Sequence, residues 1–281
     1  MLQDASILRP LARQVAKYER LARDESFSIR RAEQVLVSIR SLVERLNESD
    51  WRRQLLTWCS SESERIQGLR GELRFKLGTE LKSSLEAQGF GVSGQLPLLR
   101  VGHYTLRVDF EGEFAHIFWG PEVELLRARV PLVASEIARN VATLEQELRR
   151  HPLVAEEFLE RLRSAYGRHL RESGKPPGAK VYLTDVLREM VFLMQSRKFA
   201  ANPVRANFRG YSRVQFSYDL YRLRQLRTRT DASEQYAGPA LRLSVATFDS
   251  TTDKVKSLWI PDSDEGTGTY YSFIAFEEKI D

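Results

Sequence analysis

The chain has 281 residues, of which 42% are hydrophobic and 29% charged, a composition that excludes disordered and collagen-like proteins. Its apolar runs are only a few residues long, which excludes a membrane-spanning helix, and its charged N-terminus lacks the apolar core of a secretory signal peptide. A single cysteine, Cys59, excludes an internal disulfide and a cysteine-rich zinc site. We therefore expect a cytoplasmic protein of about two domains that does not contact a membrane.

Residues 1–92 are predicted to form a helical scaffold, an antiparallel bundle or hairpin. An amphipathic helix over 8–23 is followed by a break in which Ser26 or Ser28 can cap the next helix. Apolar residues then recur at alternating spacings of three and four, which predicts one packed helix face. We call this face the seam; it comprises Ile29, Ala32, Leu36, Ile39, Val43 and Leu46. A third helix carries leucines at every fourth position from Leu69 to Leu85.

The seam has two interpretations. It is short for a free coiled coil, which favours packing inside the bundle. Alternatively, the helices over 26–46 and 50–88 mediate self-association or bind a partner protein.

Residues 93–175 are predicted to form a β-hairpin with neighbouring helices. Alternating apolar residues predict three strands, and Glu111-Gly112-Glu113 can turn the chain between the last two. A helix is then predicted from Pro121 onward, with a kink near Arg129 caused by Pro131. Another helix follows Pro152. The predicted strands are Leu98–Val101, Tyr104–Phe110 and Phe114–Trp119.

Residues 176–281 are predicted to hold one helix followed by a β-rich module. The linker Ser173–Gly178 is rich in glycine and proline, and the helix runs through Val186 to Met194. Five later segments are predicted as antiparallel strands: Val204–Phe208, Tyr211–Arg222, Leu241–Phe248, Val255–Ile260 and Thr269–Glu277. The predicted fold class is α+β, with domains over 1–92, 93–175 and 176–281.

Most enzyme and metal signatures are missing from the sequence. Gly167 to Lys175 departs from a P-loop in its glycine spacing, and Pro176 replaces the residue that would bind magnesium. His103 and His116, with Asp109 nearby in sequence, are residue types that bind metals, but isolated strand histidines are usually structural. We expect no metal site and no cofactor.

One catalytic pattern is present near the C-terminus. Pro261-Asp262 is followed fifteen residues later by Glu277-Glu278-Lys279. This spacing resembles the signature of PD-(D/E)xK nucleases. The resemblance implies that Asp262 and Glu277 share a Mg²⁺ or Mn²⁺ ion and that Lys279 orients the attacking water. Alternatively, Asp262 begins an exposed acidic turn without catalytic function.

Basic residues are concentrated in one segment. The chain carries 43 basic and 38 acidic residues, but residues 197–229 carry nine basic residues against one acidic residue, Asp219. If Tyr211–Tyr221 is a strand, tyrosines and Arg213 share its polar face, as on a sheet that binds single-stranded nucleic acid. The alternative is that the arginines pair with the acidic C-terminal segment or with a partner protein. The predicted nucleic-acid contacts are Arg209, Tyr211, Arg213, Tyr221, Arg222, Arg224, Arg227 and Arg229.

These observations lead to three functional hypotheses. The first is a non-enzymatic subunit or adaptor of a nucleic-acid-linked assembly, which binds nucleic acid, a partner protein or both through an arginine-rich β surface. The second is the metal-dependent nuclease. The third is a subunit that binds only proteins.

Overall fold

The computed structural model describes residues 2–23, 28–150, 152–229 and 241–277, and side chains within these ranges except those of 2–5 and 227–229. Helices and antiparallel sheets occur in separate segments, so the predicted α+β class is confirmed. Among the described helices, none combines the length and apolar character of a membrane-spanning segment.

Three helices form the N-terminal scaffold: α1 (Leu2–Arg23), α2 (Ile29–Glu44) and α3 (Asp50–Glu86). Ser28 caps α2 by accepting a hydrogen bond from the Arg31 amide, and Ser49 caps α3 through the Arg52 amide. The seam packs inside this bundle, as predicted, because Ile39 and Val43 are fully buried in the core shared by the three helices.

The long helix α3 changes its surroundings along its length. Cys59 and Ile66 belong to the core of the helical bundle. Leu77, Leu81 and Leu85 are equally buried but lie outside that core. The C-terminal part of α3 therefore packs against other elements of the chain.

Five strands form the first antiparallel sheet, in the order of the chain. They are β1 (Val92–Gln95), β2 (Leu98–Val101), β3 (Tyr104–Asp109), β4 (Phe114–Trp119) and β5 (Glu124–Pro131). The three predicted strands are confirmed. The helix predicted from Pro121 is wrong over residues 124–131, which form β5. An edge strand tolerates Pro131 because that proline then removes no interior hydrogen bond, whereas a helix interior would lose one.

Helices dominate the middle of the chain. They are α4 (Ala134–Arg149), α5 (Ala155–Ser173), α6 (Leu183–Leu193), α7 (Arg197–Ala201), a 3-10 turn (Arg205–Asn207) and α8 (Arg213–Arg229). Gly174 ends α5 in the left-handed conformation (φ 64°), which explains the glycine at the start of the linker.

A second antiparallel sheet is built around its longest strand. It comprises β6 (Val181–Tyr182), β7 (Leu241–Val245), β8 (Leu258–Pro261) and β9 (Gly268–Phe276), with the short helix α9 (Phe248–Thr251) between β7 and β8. All three other strands pair with β9. The strands predicted near residues 241, 258 and 269 are thus confirmed, with shifted ends.

The chain divides into two compact units. The first comprises residues 1–99, 106–117 and 127–140, and the second comprises residues 100–105, 118–126 and 141–281. The predicted nucleic-acid contacts and the nuclease candidates Asp262 and Glu277 belong to the second unit.

Candidate functional site: a basic loop beside a cleft

The segment predicted as an arginine-rich strand is a helix. Residues 213–229 form α8, and residues 205–207 form a 3-10 turn, so the predicted β surface is wrong. The physical reason is that α8 is enclosed by protein, with eight of its first eleven residues buried. A helix that is buried on most sides carries apolar side chains around its whole circumference. Its apolar residues can then match the alternation of a strand as well as the repeat of a helix.

Neither predicted stacking tyrosine is fully exposed. Tyr221 is 5% exposed, and its hydroxyl donates to Asp264 Oδ1 at 2.7 Å. Tyr211 is half-buried and donates to Asp219 Oδ2 at 2.7 Å. Burial, together with the nearby Asp219 carboxylate, raises the pKa of Tyr211.

Two of the predicted arginines pair within the chain. Arg213 lies 3.3 Å from a Glu124 oxygen and also donates to two backbone carbonyls. Arg224 lies 3.1 Å from Asp262 Oδ1, which supports the alternative of pairing with the acidic C-terminal segment. Arg222 lies over the Tyr218 ring at 5.8 Å. The side chains of Arg227 and Arg229 lie outside the described residues.

The structure does not bring the candidate nuclease residues together. Pro261 pairs with Gly268 at one end of β9, and Glu277 follows Phe276 at the other end. Nine residues of extended strand place Asp262 and Glu277 about 30 Å apart. Lys279 lies outside the described residues, and within the described ranges no group of three metal-binding side chains converges. Asp262 instead contacts Arg224 and Thr269, while Glu277 contacts Arg242.

The exposed basic residues lie in a loop closed by one glutamine. The side chain of Gln195 accepts from the Arg209 amide and donates to the Arg209 carbonyl, both at 2.9 Å. This pairing closes residues 195–209, which we call the basic loop. Inside it, Ser196 caps α7, and Asn207 donates to the Asn202 carbonyl. The loop is therefore held in one shape by its own polar side chains.

The basic loop carries positive charge with no acidic neighbour in sequence. Residues 190–218 contain five basic residues and no aspartate or glutamate. Arg197, Lys198, Arg205 and Arg209 are exposed, and none forms an ion pair with any other described residue. The distribution of charge along the sequence indicated this segment, although Arg209 is its only member among the predicted nucleic-acid contacts.

Aromatic rings accompany these charges. Phe208 is 43% exposed and Phe192 is 57% exposed. The Phe208 ring packs edge to face on Phe199, with ring centres 5.6 Å apart, which leaves its outer side accessible. The loop surface thus combines cations with accessible rings. The sequence predicts this combination for residues 209–229 instead.

A cleft of about 800 Å³ borders the basic loop. Its volume falls within the range of small-molecule sites. Besides Gly210, eight of its lining residues are apolar and nine are polar or charged. The apolar wall comprises Pro152, Leu153, Val154, Phe158, Met190, Val191, Met194 and Phe208, and the polar groups are Glu147, Arg150, Glu157, Arg161, Arg209, Tyr211, Ser212, Gln215 and Asp219.

The charged groups of the cleft differ in depth. Arg150, Arg161 and Arg209 are exposed, and so are Glu147 and Glu157, of which Glu157 pairs with Arg161 at 3.0 Å. Asp219 is only 7% exposed. Asp219 accepts from the Tyr211 hydroxyl and, at 3.0 Å, from Gln215 Nε2. These hydrogen bonds compensate the burial of a carboxylate, which is costly when unpaired. The rim of the cleft therefore carries three arginines and two glutamates, and its floor carries a carboxylate.

A buried histidine lies among aromatic rings elsewhere in the second unit. His103 is 4% exposed and lies within 6 Å of the rings of Trp119, Tyr218 and Tyr221. Its Nε2 is 3.5 Å from Asp264 Oδ1. Burial lowers the pKa of His103 and outweighs the opposing effect of the nearby carboxylates. We assign this group to the core of the unit.

Comparison with known proteins provides no family: no family model, no curated protein and no solved structure matches this chain.

Proposed function

We propose that this protein is a non-enzymatic, cytoplasmic subunit or adaptor that binds single-stranded nucleic acid through its basic loop and needs no cofactor. The observation that carries the proposal is the exposure of four cations that form no ion pair with another described residue, beside the 43% exposed ring of Phe208. These cations are Arg197, Lys198, Arg205 and Arg209.

The charge of the loop fits a phosphate backbone. These four exposed cations form no ion pair with another described residue, so no such pair has to break before they contact phosphates. Arginine also suits phosphate because its guanidinium donates two parallel hydrogen bonds. The arginines of α8 that pair with Glu124 and Asp262 would lose those partners on binding, so we place the contact on the loop.

The aromatic rings favour single strands over duplexes. Unpaired bases stack on accessible rings, and each stack stabilises a complex by about 1–3 kcal/mol. Bases inside a duplex are already stacked on each other. Phe208 and Phe192 supply such rings at the loop and at the end of α6.

A partner protein with an acidic surface is the second candidate ligand. Leu193 and Val204 are 42% and 44% exposed, and exposed aliphatic side chains beside cations are typical of protein interfaces. Competition experiments separate the two candidates, because an acidic polypeptide offers charge without bases.

We expect binding of a fluorescent single-stranded oligonucleotide to weaken steeply with salt. Four phosphate contacts correspond to a slope of about −3 in a plot of log affinity against log salt concentration. Replacing Arg197, Lys198, Arg205 and Arg209 together by glutamine should remove most of this slope. Fluorescence anisotropy across a salt series measures both quantities.

A matched variant controls for total charge. Arg9, Arg13, Lys17 and Arg31 are also three arginines and one lysine, all exposed on α1 and α2. Their replacement by glutamine should leave most of the slope intact. Equal effects of the two quadruple variants, or competition by polyglutamate as strong as by oligonucleotide, would contradict the proposal.

A further inference from the structure

We infer that the cleft beside the basic loop binds one unpaired nucleotide, with its phosphate at the arginine rim and its base against the apolar wall. The inference rests on the proposed function if the nucleotide is part of the bound strand. The other possible source is a free mononucleotide. Both sources share the same chemistry, an anionic phosphate joined to a neutral aromatic base.

The distribution of charge with depth is the first argument. At the exposed rim, Glu157 pairs with Arg161, and Arg150 and Arg209 exceed the remaining Glu147 by one positive charge. The floor carries the buried carboxylate of Asp219. An acidic peptide would suit the rim but would bring further negative charge towards Asp219. A nucleotide is negative at one end only, and its base is neutral with N–H donors. The negative phosphate of a nucleotide thus matches the rim of the cleft, and its neutral base with N–H donors matches the floor.

The wall of the cleft is the second argument. Phe158 and Phe208 are flat rings, and Met190 and Met194 have polarizable side chains that make favourable contacts with aromatic groups. A bound base stacks against flat or apolar side chains with its faces and forms hydrogen bonds at its edge. A volume of about 800 Å³ leaves room for a nucleotide with solvent.

The polar floor determines which bases fit. Asp219, Tyr211 and Gln215 form one hydrogen-bonded group, and Gln215 also donates to the Leu148 carbonyl, which holds its side chain. A carboxylate accepts hydrogen bonds from the amino groups of cytosine and guanine. Uracil lacks an amino group. We therefore expect cytosine and guanine to bind more tightly than uracil.

Isothermal titration calorimetry of the full chain with CMP, GMP, UMP and ribose 5-phosphate tests the inference. CMP and GMP should bind about tenfold more tightly than UMP, and ribose 5-phosphate should be weakest because it has no base to stack. Met194 lines the cleft and is half-buried, so the larger side chain in Met194→Trp should occupy part of the cleft. This variant should weaken CMP binding by about tenfold or more.

Two further variants complete the test. Leu193→Trp adds the same ring on the neighbouring residue of α6, which is exposed and does not line the cleft, and should leave CMP binding unchanged. Asp219→Asn should reduce the preference for CMP over UMP. Equal effects of the two tryptophan variants, or an unchanged base preference in Asp219→Asn, would overturn the inference.

The outcomes for the cleft and for the basic loop are separable. If oligonucleotides bind and mononucleotides do not, the cleft inference is wrong and the proposed function stands. If CMP binds and Met194→Trp abolishes its binding while oligonucleotides do not bind, the cleft inference is supported with a free nucleotide as ligand, and the proposed function is wrong.

Discussion

His103 illustrates how burial controls the ionisation of a single residue. The ring is enclosed by Trp119, Tyr218 and Tyr221, so its charged form loses hydration. Glu145 and Asp264 favour the charged form, whereas Arg149 opposes it, and the effect of burial is the largest. His103 is therefore neutral in the folded protein at neutral pH.

This neutrality makes the stability of the protein depend on pH. The pKa of an unfolded histidine is about 6.5, and that of folded His103 is lower. As the pH falls below about 6.5, the unfolded chain takes up a proton first, so the free energy of unfolding decreases until the pH passes the folded pKa. The decrease is at most about 1.4 kcal/mol per pH unit from one group.

Urea unfolding at pH 7.5 and pH 5.5 measures the effect of His103. His103→Gln removes the titrating group, so the loss of stability between these two pH values should be smaller in the variant than in the unchanged chain. Equal losses in both proteins would assign the pH dependence to other residues.

At the scale of elements, α2 shows the predicted relation between periodicity and burial. Ile39 lies in the seam and is fully buried, whereas Val37 on the same helix is 64% exposed. The two residues have similar chemistry and are only two positions apart. Their different surroundings follow from the helical repeat, which turns them to different faces.

Introducing a charge at each position tests this relation. Ile39→Asp places an unpaired carboxylate in the helical core and should reduce the free energy of unfolding by about 3 kcal/mol or more. Val37→Asp should change it by about 0.5 kcal/mol or less, because the new carboxylate stays hydrated. Thermal and urea unfolding monitored by circular dichroism compares the two variants. Similar destabilisation by both would show that Ile39 is not in a packed face.

At the scale of the whole molecule, the first unit draws on distant parts of the chain. Helices α1 to α3 lie within its first 99 residues, and its remaining segments are residues 106–117 and 127–140. Arg74 on α3 lies over the Phe110 ring at 4.9 Å, which is one contact between these parts. The C-terminal part of α3 thus depends on segments beyond the predicted boundary at residue 92.

A fragment of residues 1–92 should therefore lose order at one end. Leu77, Leu81 and Leu85 are buried outside the helical core, so the fragment exposes them and residues 74–86 should exchange their amide hydrogens faster than in the full chain. Residues 29–66 should keep most of their protection. Hydrogen exchange measured by mass spectrometry on both proteins shows the difference, and equal protection of 74–86 would contradict the expected packing.

The sequence by itself determined the fold class and the positions where the repeat of apolar residues is unambiguous. The seam of α2 is buried while Val37 of the same helix is exposed, and every second residue of β2, β3 and β4 is buried, so their periodicity is readable. The concentration of basic residues is also visible directly in the sequence, because charge along a chain needs no structure to be counted.

Only the tertiary structure decided which basic residues are available for binding and whether separated residues meet. Arg213 and Arg224 are removed from the candidate surface by Glu124 and Asp262, partners far away in sequence. The register of β9 separates Asp262 from Glu277 although a loop of fifteen residues could have brought them together. The cleft exists only where α5, α6 and α8 pack, and packing partners are not encoded in local periodicity.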